Sequence, residues 1–411
     1  MSEWRDTEIG LIPQDWDAVK FENLLEIPLR NGLDKPSRIR GDGYKMVNMN
    51  EIFAHSIIRN ISMEFVPLTE KEKQTSLLRR NDLLFARQSL VLEGAGKCSI
   101  FDDEDTNVCF ESHLIRARLN QTLSNSRFYY YFFSSKYGKK FVKTIVEQAV
   151  VAGIRGSDLK NLVVPQPPKQ QQDKIADVLS CLDTKIENLR SQNQTLEKIA
   201  QTLFNYWFID FEFPNDSGEP YKSSGGAMID SELGDIPVGW EVQSLRSVMT
   251  LNYGKSLTSE TRVNGAYPVI GSNGIVGNHN KFIVDAPGIV IGRKGTIGKV
   301  IWVEDNFYPI DTTFYITDCL GCVGLYFHYF LIKNQEFNRL TSDSAVPGLN
   351  RETVYCVETV IPNISIIDRY NSIVKVIFQK INNNSQQIQT LTKTRDTLLP
   401  KLMSGQIRVA E

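Results

Sequence analysis

One short motif occurs twice, and this repeat constrains the fold more than any other feature of the chain. Residues 8–16 are EIGLIPQDW and residues 232–240 are ELGDIPVGW, so Glu, Gly, Ile, Pro and Trp return at identical spacing. The interval is far longer than a solenoid repeat of roughly 20–50 residues. The chain is therefore predicted to contain two domains of one architecture that perform two similar tasks.

The similarity continues beyond the motif. In both halves a short apolar strand ends at an arginine, Arg87 or Arg293, and a glycine-containing loop then leads to a Gly-Lys dipeptide that ends at Lys97 or Lys299. Strands bounded by glycine-rich turns are typical of a mixed α/β domain. An aromatic stretch follows in each half, and we expect it to pack on the strands as core.

Each half ends in a long stretch whose apolar residues alternate steps of four and three. Heptads sustained over this length, with polar residues between them, predict two rod-like helices that pair as an antiparallel coiled coil. The predicted seam positions are Ile175, Leu179, Leu182, Ile186, Leu189, Asn193, Leu196, Leu203, Ile377, Ile381, Asn384, Ile388, Leu391 and Leu398.

Each seam is interrupted once by an asparagine, Asn193 or Asn384. If the helices pair antiparallel with their ends matched, Asn193 falls opposite residues 382–384. A buried asparagine lowers stability but specifies register, because a shifted alignment leaves its amide without a partner. The alternative is that the asparagines belong to a solvated face of the helix.

The predicted fold class is α+β, with two similar mixed α/β domains separated by two long helices and related by a pseudo-twofold internal repeat. A chain of 411 residues is long enough for two or three domains. The segment between the halves is rich in Pro, Gly, Ser and Asp, which predicts a flexible linker. The predicted divisions are a first domain over 1–165, a long helix over 166–211, the linker over 212–231, a second domain over 232–362 and a C-terminal long helix over 363–411.

Composition limits the function and the location. The formal net charge is −2, so a nucleic acid would contact a local basic face rather than the whole surface. No apolar run is long enough to span a membrane and the first residues lack a signal-peptide core, so a cytoplasmic location is expected.

Sequence signatures of catalysis are missing. The four histidines lack metal-ligand spacing, and no nucleophile elbow occurs. Residues 292–300 follow a strand as a phosphate-binding loop does, but their spacing is one residue too long and Val300 replaces the hydroxyl residue that would hold magnesium. Methyltransferase motifs are also absent. We therefore predict no catalytic residues, no metal site and no cofactor in this chain.

The same loop suits contact with nucleic acid, because Arg293, Lys294 and Lys299 lie among glycines that allow close approach of the backbone to phosphates. An amide such as that of Asn273 can pair with adenine, although turn asparagines with a left-handed backbone are the alternative. The candidate DNA-binding residues are Arg87, Lys97, Arg155, Lys255, Asn273, His279, Lys281, Arg293, Lys294, Lys299, Asn350 and Arg351.

Taken over its full length, the chain resembles the DNA-specificity subunit of type I restriction-modification systems. The resemblance lies in the two Ile-Pro-x-x-Trp openings and in residues 203–211 (LFNYWFIDF), 291–299 (IGRKGTIGK) and 398–409 (LLPKLMSGQIRV), taken in this order. The first domain departs from the family pattern, because residues 88–94 replace a compact glycine loop.

The resemblance implies a non-catalytic subunit that binds double-stranded DNA. Each target-recognition domain would bind one half of a bipartite, asymmetric site, and the helices would space the domains and dock two methyltransferase subunits. Motor-nuclease subunits would complete the restriction enzyme. Adenine-N6 methylation with S-adenosylmethionine, and ATP- and Mg-dependent cleavage, would belong to these partners.

Two other functions remain open from the residues. The chain could be a self-contained restriction-modification enzyme, although the motifs for cofactor and catalysis are missing. It could also be a coiled-coil scaffold whose globular ends bind protein rather than DNA. Salt-sensitive DNA binding separates the scaffold from the specificity subunit, because phosphate contacts release counterions.

Overall fold

Two compact units make up the chain. The first consists of residues 1–188 and 388–411 and the second of residues 189–387, so each unit contains a part of both long helices. The structure is a computed structural model that describes residues 4–89, 94–147, 152–318, 321, 323–340 and 348–409.

The first unit is built mainly of short strands with small helices between them. Its strands are β1 (Trp4–Thr7), β2 (Gly10–Pro13), β3 (Asp17–Lys20), β4 (Leu25–Asn31), β5 (Tyr44–Val47), β6 (Ile57–Ile58), β7 (Glu64–Val66), β8 (Leu83–Ala86), β9 (Gln88–Ser89), β10 (Cys98–Phe101), β11 (Val108–Phe110), β12 (Leu114–Leu119), β13 (Ala152–Gly153) and β14 (Val163–Gln166). Its small helices are α1 (Met49–Ala54), α2 (Glu70–Ser76), α3 (Ser126–Ser134), α4 (Lys136–Lys143) and α5 (Gly156–Asn161).

A five-stranded sheet with the order β4-β12-β8-β10-β6 forms the centre of this unit, beside a three-stranded sheet β11-β5-β7. Every residue of β8 is buried, because both faces of the sheet are covered. Leu83 and Phe85 pack into the cluster that contains the aromatic helix α3, whereas Leu84 and Ala86 pack into a second cluster on the other face. This explains why the strand is apolar without alternation.

Trp16 of the repeated motif connects the start of the chain to the first long helix, α6 (Lys169–Phe208). Its ring is almost fully buried against the edge of Phe128, with ring centroids 6.5 Å apart. Its Nε1 donates a hydrogen bond to Gln171 Oε1 at 2.8 Å. The motif therefore places the opening segment against the base of a long helix.

The second unit repeats this plan with fewer strands. They are β15 (Met228–Ile229), β16 (Ile236–Pro237), β17 (Glu241–Ser244), β18 (Asn252–Tyr253), β19 (Tyr267–Gly271), β20 (Gly274–His279), β21 (Gly288–Gly292), β22 (Val300–Val303), β23 (Tyr308–Pro309), β24 (Thr313–Ile316) and β25 (Glu358–Ile361). Its small helices are α7 (Leu245–Val248), α8 (Tyr326–Lys333) and α9 (Arg351–Tyr355), and the second long helix is α10 (Ile364–Met403).

Strand pairing confirms the internal repeat. A sheet of order β18-β24-β21-β22 corresponds to β4-β12-β8-β10 of the first unit. Strand β19 pairs parallel with β23 and antiparallel with β20, as β5 pairs parallel with β11 and antiparallel with β7. The tryptophans of the repeated motif are also equivalent. Both are buried, and the backbone N–H of each donates to the carbonyl of the proline three residues earlier.

Residues 212–231 are folded onto the second unit, so the prediction of a flexible linker is wrong. Phe213 stacks between Tyr221 and Trp240, with ring centroids 4.5 and 4.9 Å apart. Strand β15 within this segment pairs with β16. The Pro, Gly and Ser residues supply tight turns here, which composition alone does not distinguish from flexibility.

The two long helices pack antiparallel, as the heptads predict. In the first unit Arg395 Nη1 of α10 contacts Asp183 Oδ1 of α6 at 2.7 Å. In the second unit Tyr370 Oη of α10 donates to the Ala200 carbonyl of α6 at 3.0 Å. The predicted seam positions are all buried or half-buried. In the described part of the chain, none of the helices is long and apolar enough to cross a membrane.

Asn193 and Asn384 meet across this helix pair, which is the pairing that the interrupted seams predict. Asn384 is fully buried and its Nδ2 donates to Asn193 Oδ1 at 2.9 Å. Asn193 Nδ2 donates to Ser385 Oγ at 3.2 Å. These hydrogen bonds exist only in this register, because a shift of either helix places the amides against apolar seam residues.

Leucine substitutions distinguish the contribution of the contact between the two amides from that of the apolar residues around it. We expect Asn384→Leu to lower the free energy of unfolding by about 1–3 kcal/mol, because Asn193 Oδ1 loses the hydrogen bond that Asn384 donates in a half-buried seam. The double variant Asn193→Leu/Asn384→Leu should recover most of this loss, since both polar groups are gone. Thermal unfolding of the wild type, the single variants Asn193→Leu and Asn384→Leu, and the double variant measures the coupling between the two side chains. Additive losses in the double variant would contradict a direct interaction.

Candidate nucleic-acid interface

The loop between β21 and β22 is a tight basic turn that depends on glycine. A Cβ at Gly292 would lie 2.0 Å from the Thr296 carbonyl oxygen, which no side chain tolerates. Gly295 and Gly298 have φ angles of +77° and +75°, a left-handed conformation that disfavours other residues. The Gly292 amide donates to the Lys299 carbonyl at 2.8 Å and closes the loop. The turn thus presents its three cationic side chains at the end of a hairpin.

Two arginines that are distant in sequence lie against one aromatic ring. The guanidinium carbons of Arg293 and Arg351 are each 5.1 Å from the centroid of Tyr253, a ring that is 46% exposed. Cation–π attraction orients both guanidinium groups. Their N–H groups can then donate to phosphate oxygens or to the O6 and N7 atoms of guanine. This cluster joins two predicted residues through Tyr253, which the sequence interpretation missed.

Asn273 lies in the turn between β19 and β20 and is bound to the basic loop. Lys299 Nζ donates to both the carbonyl oxygen and Oδ1 of Asn273, at 2.8 Å each. Asn273 does not have a positive φ angle, and the left-handed residue of this turn is Gly274, with φ +126°. The backbone conformation therefore does not require asparagine at this position. The contact with Lys299 holds the side-chain amide, including its Nδ2, in one orientation.

His279 is not part of an exposed surface, which corrects its prediction as a DNA contact. Only 8% of the residue is exposed, and its Nδ1 accepts a hydrogen bond from the Val263 amide at 3.1 Å. The ring packs edge-on against Tyr308. These packing contacts between strands account for a histidine at this position. The sequence could not distinguish such a packing role from a DNA contact.

The other predicted residues of the second unit occupy the surface in different ways. Asn350 caps α9, where its side chain accepts a hydrogen bond from the Glu352 amide at 2.8 Å. Lys294 is exposed at the tip of the basic turn. Lys255 and Lys281 are also exposed, one after β18 and the other after β20.

In the first unit, Arg87 and Arg155 are brought close by a backbone contact that the second unit repeats. The Ile154 amide donates to the Arg87 carbonyl at 2.9 Å, and the Leu349 amide donates to the Arg293 carbonyl at the same distance. Arg155 is exposed and its Nη2 lies 2.8 Å from Glu147 Oε2. The end of β8 and the end of β21 are therefore the same structural position.

Lys97 lines a basic cavity of about 510 Å³ in the first unit. Its Nζ donates to the Phe53 carbonyl at 2.7 Å and lies over the Phe53 ring. Burial lowers the pKa of Lys97, and the charge of the neighbouring Lys139 lowers it further. Among the described residues that line the cavity there is no carboxylate. An anion that enters would therefore relieve repulsion between lysines.

Helix α4 supplies the rest of this positive charge, and the sequence interpretation missed it. Its Ser135 cap accepts a hydrogen bond from the Gly138 amide at 2.9 Å. The lysines follow the spacing i, i+3, i+4 and i+7, which puts them on one helical face and could have revealed them. They are Lys136, Lys139, Lys140 and Lys143, all exposed and all lining the cavity.

Within the described residues, no group of three or more His, Cys, Asp or Glu side chains is placed to hold a metal ion. The described sites are instead basic surfaces at corresponding positions of two repeated domains. Such basic surfaces suit polyanionic ligands. The fold and these surfaces define a class of protein in which long paired helices carry two α/β domains with nucleic-acid-binding character.

Comparison with known proteins identifies the family. A family model described as the type I restriction modification DNA specificity domain matches residues 13–198 and 237–393. The chain belongs to this family, because the two matches together cover most of its length. This confirms the resemblance inferred from the repeated motif and the loop and helix segments.

Full-length relatives agree with the family match. The chain is 27% identical to the specificity subunit of the type I restriction enzyme MjaIX from Methanocaldococcus jannaschii, over 100% of this chain and 98% of the relative. It is 23% identical to the HindI specificity subunit of Haemophilus influenzae, over 99% and 100%. The crystal structure of a type I S subunit from M. genitalium has the same fold, with a TM-score of 0.58, 18% identity and coverage of 94% and 96%.

Proposed function

We propose that this chain is the DNA-sequence-specificity subunit of a type I restriction-modification complex and that each unit binds one half of a bipartite, asymmetric DNA site. One observation carries the proposal: the two units place Arg87 and Arg293 at the same structural position, at the end of equivalent strands. The groups around these arginines differ between the units. A shared scaffold with different contacts suits the recognition of two different half-sites.

The basic groups fall into two chemical classes. The lysines around Lys97 are point charges that suit phosphates, and phosphate contacts position a protein without selecting a sequence. Arg293 and Arg351 are planar donors held against Tyr253, and a bidentate arginine distinguishes guanine in the major groove. We assign backbone contacts to the lysines and base recognition in the second half-site to the two arginines.

The long helices act as the spacer and as the docking surface for two methyltransferase subunits. Support comes from apolar side chains on their outer surfaces in the second unit, where Ile199 is 51% exposed and Val376 is 65% exposed. A docked methyltransferase subunit would remove these apolar side chains from water. Motor-nuclease subunits join the full complex. S-adenosylmethionine, ATP and Mg belong to these partners, and the chain itself is non-catalytic.

Sequencing of methylated DNA tests the function directly. Cells that express the cognate methyltransferase with this chain should methylate adenine within one bipartite sequence, and cells that lack the chain should not. The same methylation in both cells would contradict the proposal. Methyl transfer by the purified chain alone would instead support a self-contained enzyme, and complex formation without DNA binding would support a scaffold.

The basic turn of the second unit generates a quantitative prediction. We expect Arg293→Ala/Lys294→Ala to weaken DNA binding by the methyltransferase complex and to lower the slope of log K against log salt concentration by about 1, because the lost phosphate contact of Lys294 removes about one released counterion while the loss of Arg293 removes base contacts. Arg339→Ala is the control, since this exposed arginine pairs with Glu336. Binding curves over a salt series measure the slopes. An unchanged slope would show that the turn is structural.

The lysine face of α4 should act in the same way in the first unit. We expect Lys139→Gln/Lys143→Gln to reduce the salt slope by about 2 without changing the methylated sequence, because phosphate contacts carry no sequence information. The matched control is Lys20→Gln/Lys160→Gln, whose lysines each lie 3.9 Å from Glu22. Equal slopes for both double variants would exclude α4 from the DNA interface.

A further inference from the structure

A second basic cavity lies in the first unit, on the face of the five-stranded sheet opposite α3. Its volume is about 570 Å³, and it is bounded by β4, β12 and the end of α2. None of the described residues that line it is acidic. The cationic residues that line it are Arg30, Lys73, Arg79, Arg116 and Arg118.

Arg116 is the buried member of this set. Only 4% of the residue is exposed, its Nη1 donates to the Thr75 carbonyl at 3.2 Å, and its guanidinium group lies 5.8 Å from the centroid of Phe110. Its buried Nε has no hydrogen-bond acceptor in the part of the chain that the structure describes. Burial is the main reason that the pKa of Arg116 falls to about 10. A buried cation with an unpaired donor is costly, and an anion in the cavity beside it would lower that cost.

The nearby carboxylates are already engaged. Arg118 binds Asp82 through two hydrogen bonds of 2.7 and 2.6 Å. Lys73 contacts Glu70 at 2.6 Å, and Arg79 lies 3.8 Å from Glu26. Among the described residues, no carboxylate lies within 4.0 Å of Arg30 or Arg116, and the charge of Asp82 offsets only part of the effect of burial on the pKa of Arg116.

The fold itself does not require this charge. Arg116 of β12 pairs with Leu84, and Tyr315 of β24 pairs with Val290 in the second unit. Leu84 and Val290 are equivalent, because they precede Arg87 and Arg293 at the same distance. The second unit therefore has a tyrosine, packed against an apolar cluster, where the first has the buried arginine. The cationic cavity is a feature of the first unit and not of the shared scaffold.

We propose that this cavity binds a phosphoryl anion, with the guanidinium groups of Arg116 and Arg30 as its ligands. Phosphate oxygens accept hydrogen bonds in the geometry that guanidinium donors present. The anion is either a backbone phosphate of DNA or a free phosphate group. Binding of inorganic phosphate to the chain alone involves no sequence recognition, so the free-phosphate source is independent of the proposed function, whereas the DNA source rests on it.

The first experiment titrates inorganic phosphate into the full chain at constant ionic strength and compares it with chloride. Phosphate should raise the Tm of the wild type, and Arg30→Gln should weaken phosphate binding about tenfold because a charged donor is lost. Arg30 is exposed, so this variant is expected to fold. The control is Arg38→Gln, an exposed arginine outside the cavity, which should behave as the wild type does.

The second experiment separates the two sources of phosphate with a duplex DNA fragment. If the ligand is a DNA backbone phosphate, Arg30→Gln weakens DNA binding and inorganic phosphate competes with the duplex. If the ligand is a free phosphate, the variant keeps its DNA affinity and phosphate binds alongside DNA.

Two outcomes overturn the proposal. One is that phosphate and chloride give the same Tm for every protein while DNA affinity is unchanged in Arg30→Gln. The other is that phosphate stabilises Arg30→Gln as strongly as the wild type and DNA affinity is again unchanged, which would place the anion elsewhere. Either outcome leaves recognition of the two half-sites by the units untouched.

Discussion

Packing of the two long helices is the interaction on which the rest of the structure depends. The helices are part of the core of each unit. In the first unit Leu179 of α6 and Leu402 of α10 belong to the same buried cluster as the aromatic helix α3. In the second unit Phe204 of α6 and Tyr370 of α10 belong to the same buried cluster as the aromatic helix α8, and their ring centroids are 5.9 Å apart. Neither globular part is complete without both helices, so the core of each unit depends on the register of the seam.

The register is in turn specified by polar groups within an apolar contact. The hydrogen-bonded asparagines occupy the centre of the seam, and the Asp183–Arg395 ion pair lies further along it. Polar contacts of this kind add little net stability, since their desolvation offsets much of the attraction. Their effect is selective, because a shifted alignment breaks these contacts and places the polar groups against apolar seam residues.

Charge is distributed so that a chain with a net charge of −2 carries strongly basic local surfaces. In the first unit the lysines of α4 converge with Lys97 on one cavity, and the arginines around Arg116 converge on another. In the second unit two arginines, Arg293 of the basic turn and Arg351, lie together over the ring of Tyr253 instead. The strands and the aromatic helices are common to both units, whereas the basic groups differ. Duplication of a scaffold followed by divergence of its surface is sufficient to give one chain two binding specificities.

The sequence by itself determined the repeat, the fold class, the antiparallel helix pair and the contact between Asn193 and Asn384. These features depend on local periodicity and on two copies of one pattern, both of which are visible along the chain. It also indicated the basic turn around Arg293, because glycine spacing is a local signal.

Only the tertiary structure decided which of the candidate residues lie together. It buried His279, folded residues 212–231 against Trp240 and joined Arg293 to Arg351 through Tyr253. It also placed the largely buried Arg116 in the lining of a cavity that it shares with four other cationic residues. The physical reason is that burial and charge compensation are set by neighbours far away in sequence. A single residue type, such as histidine or arginine, does not reveal whether those neighbours are present.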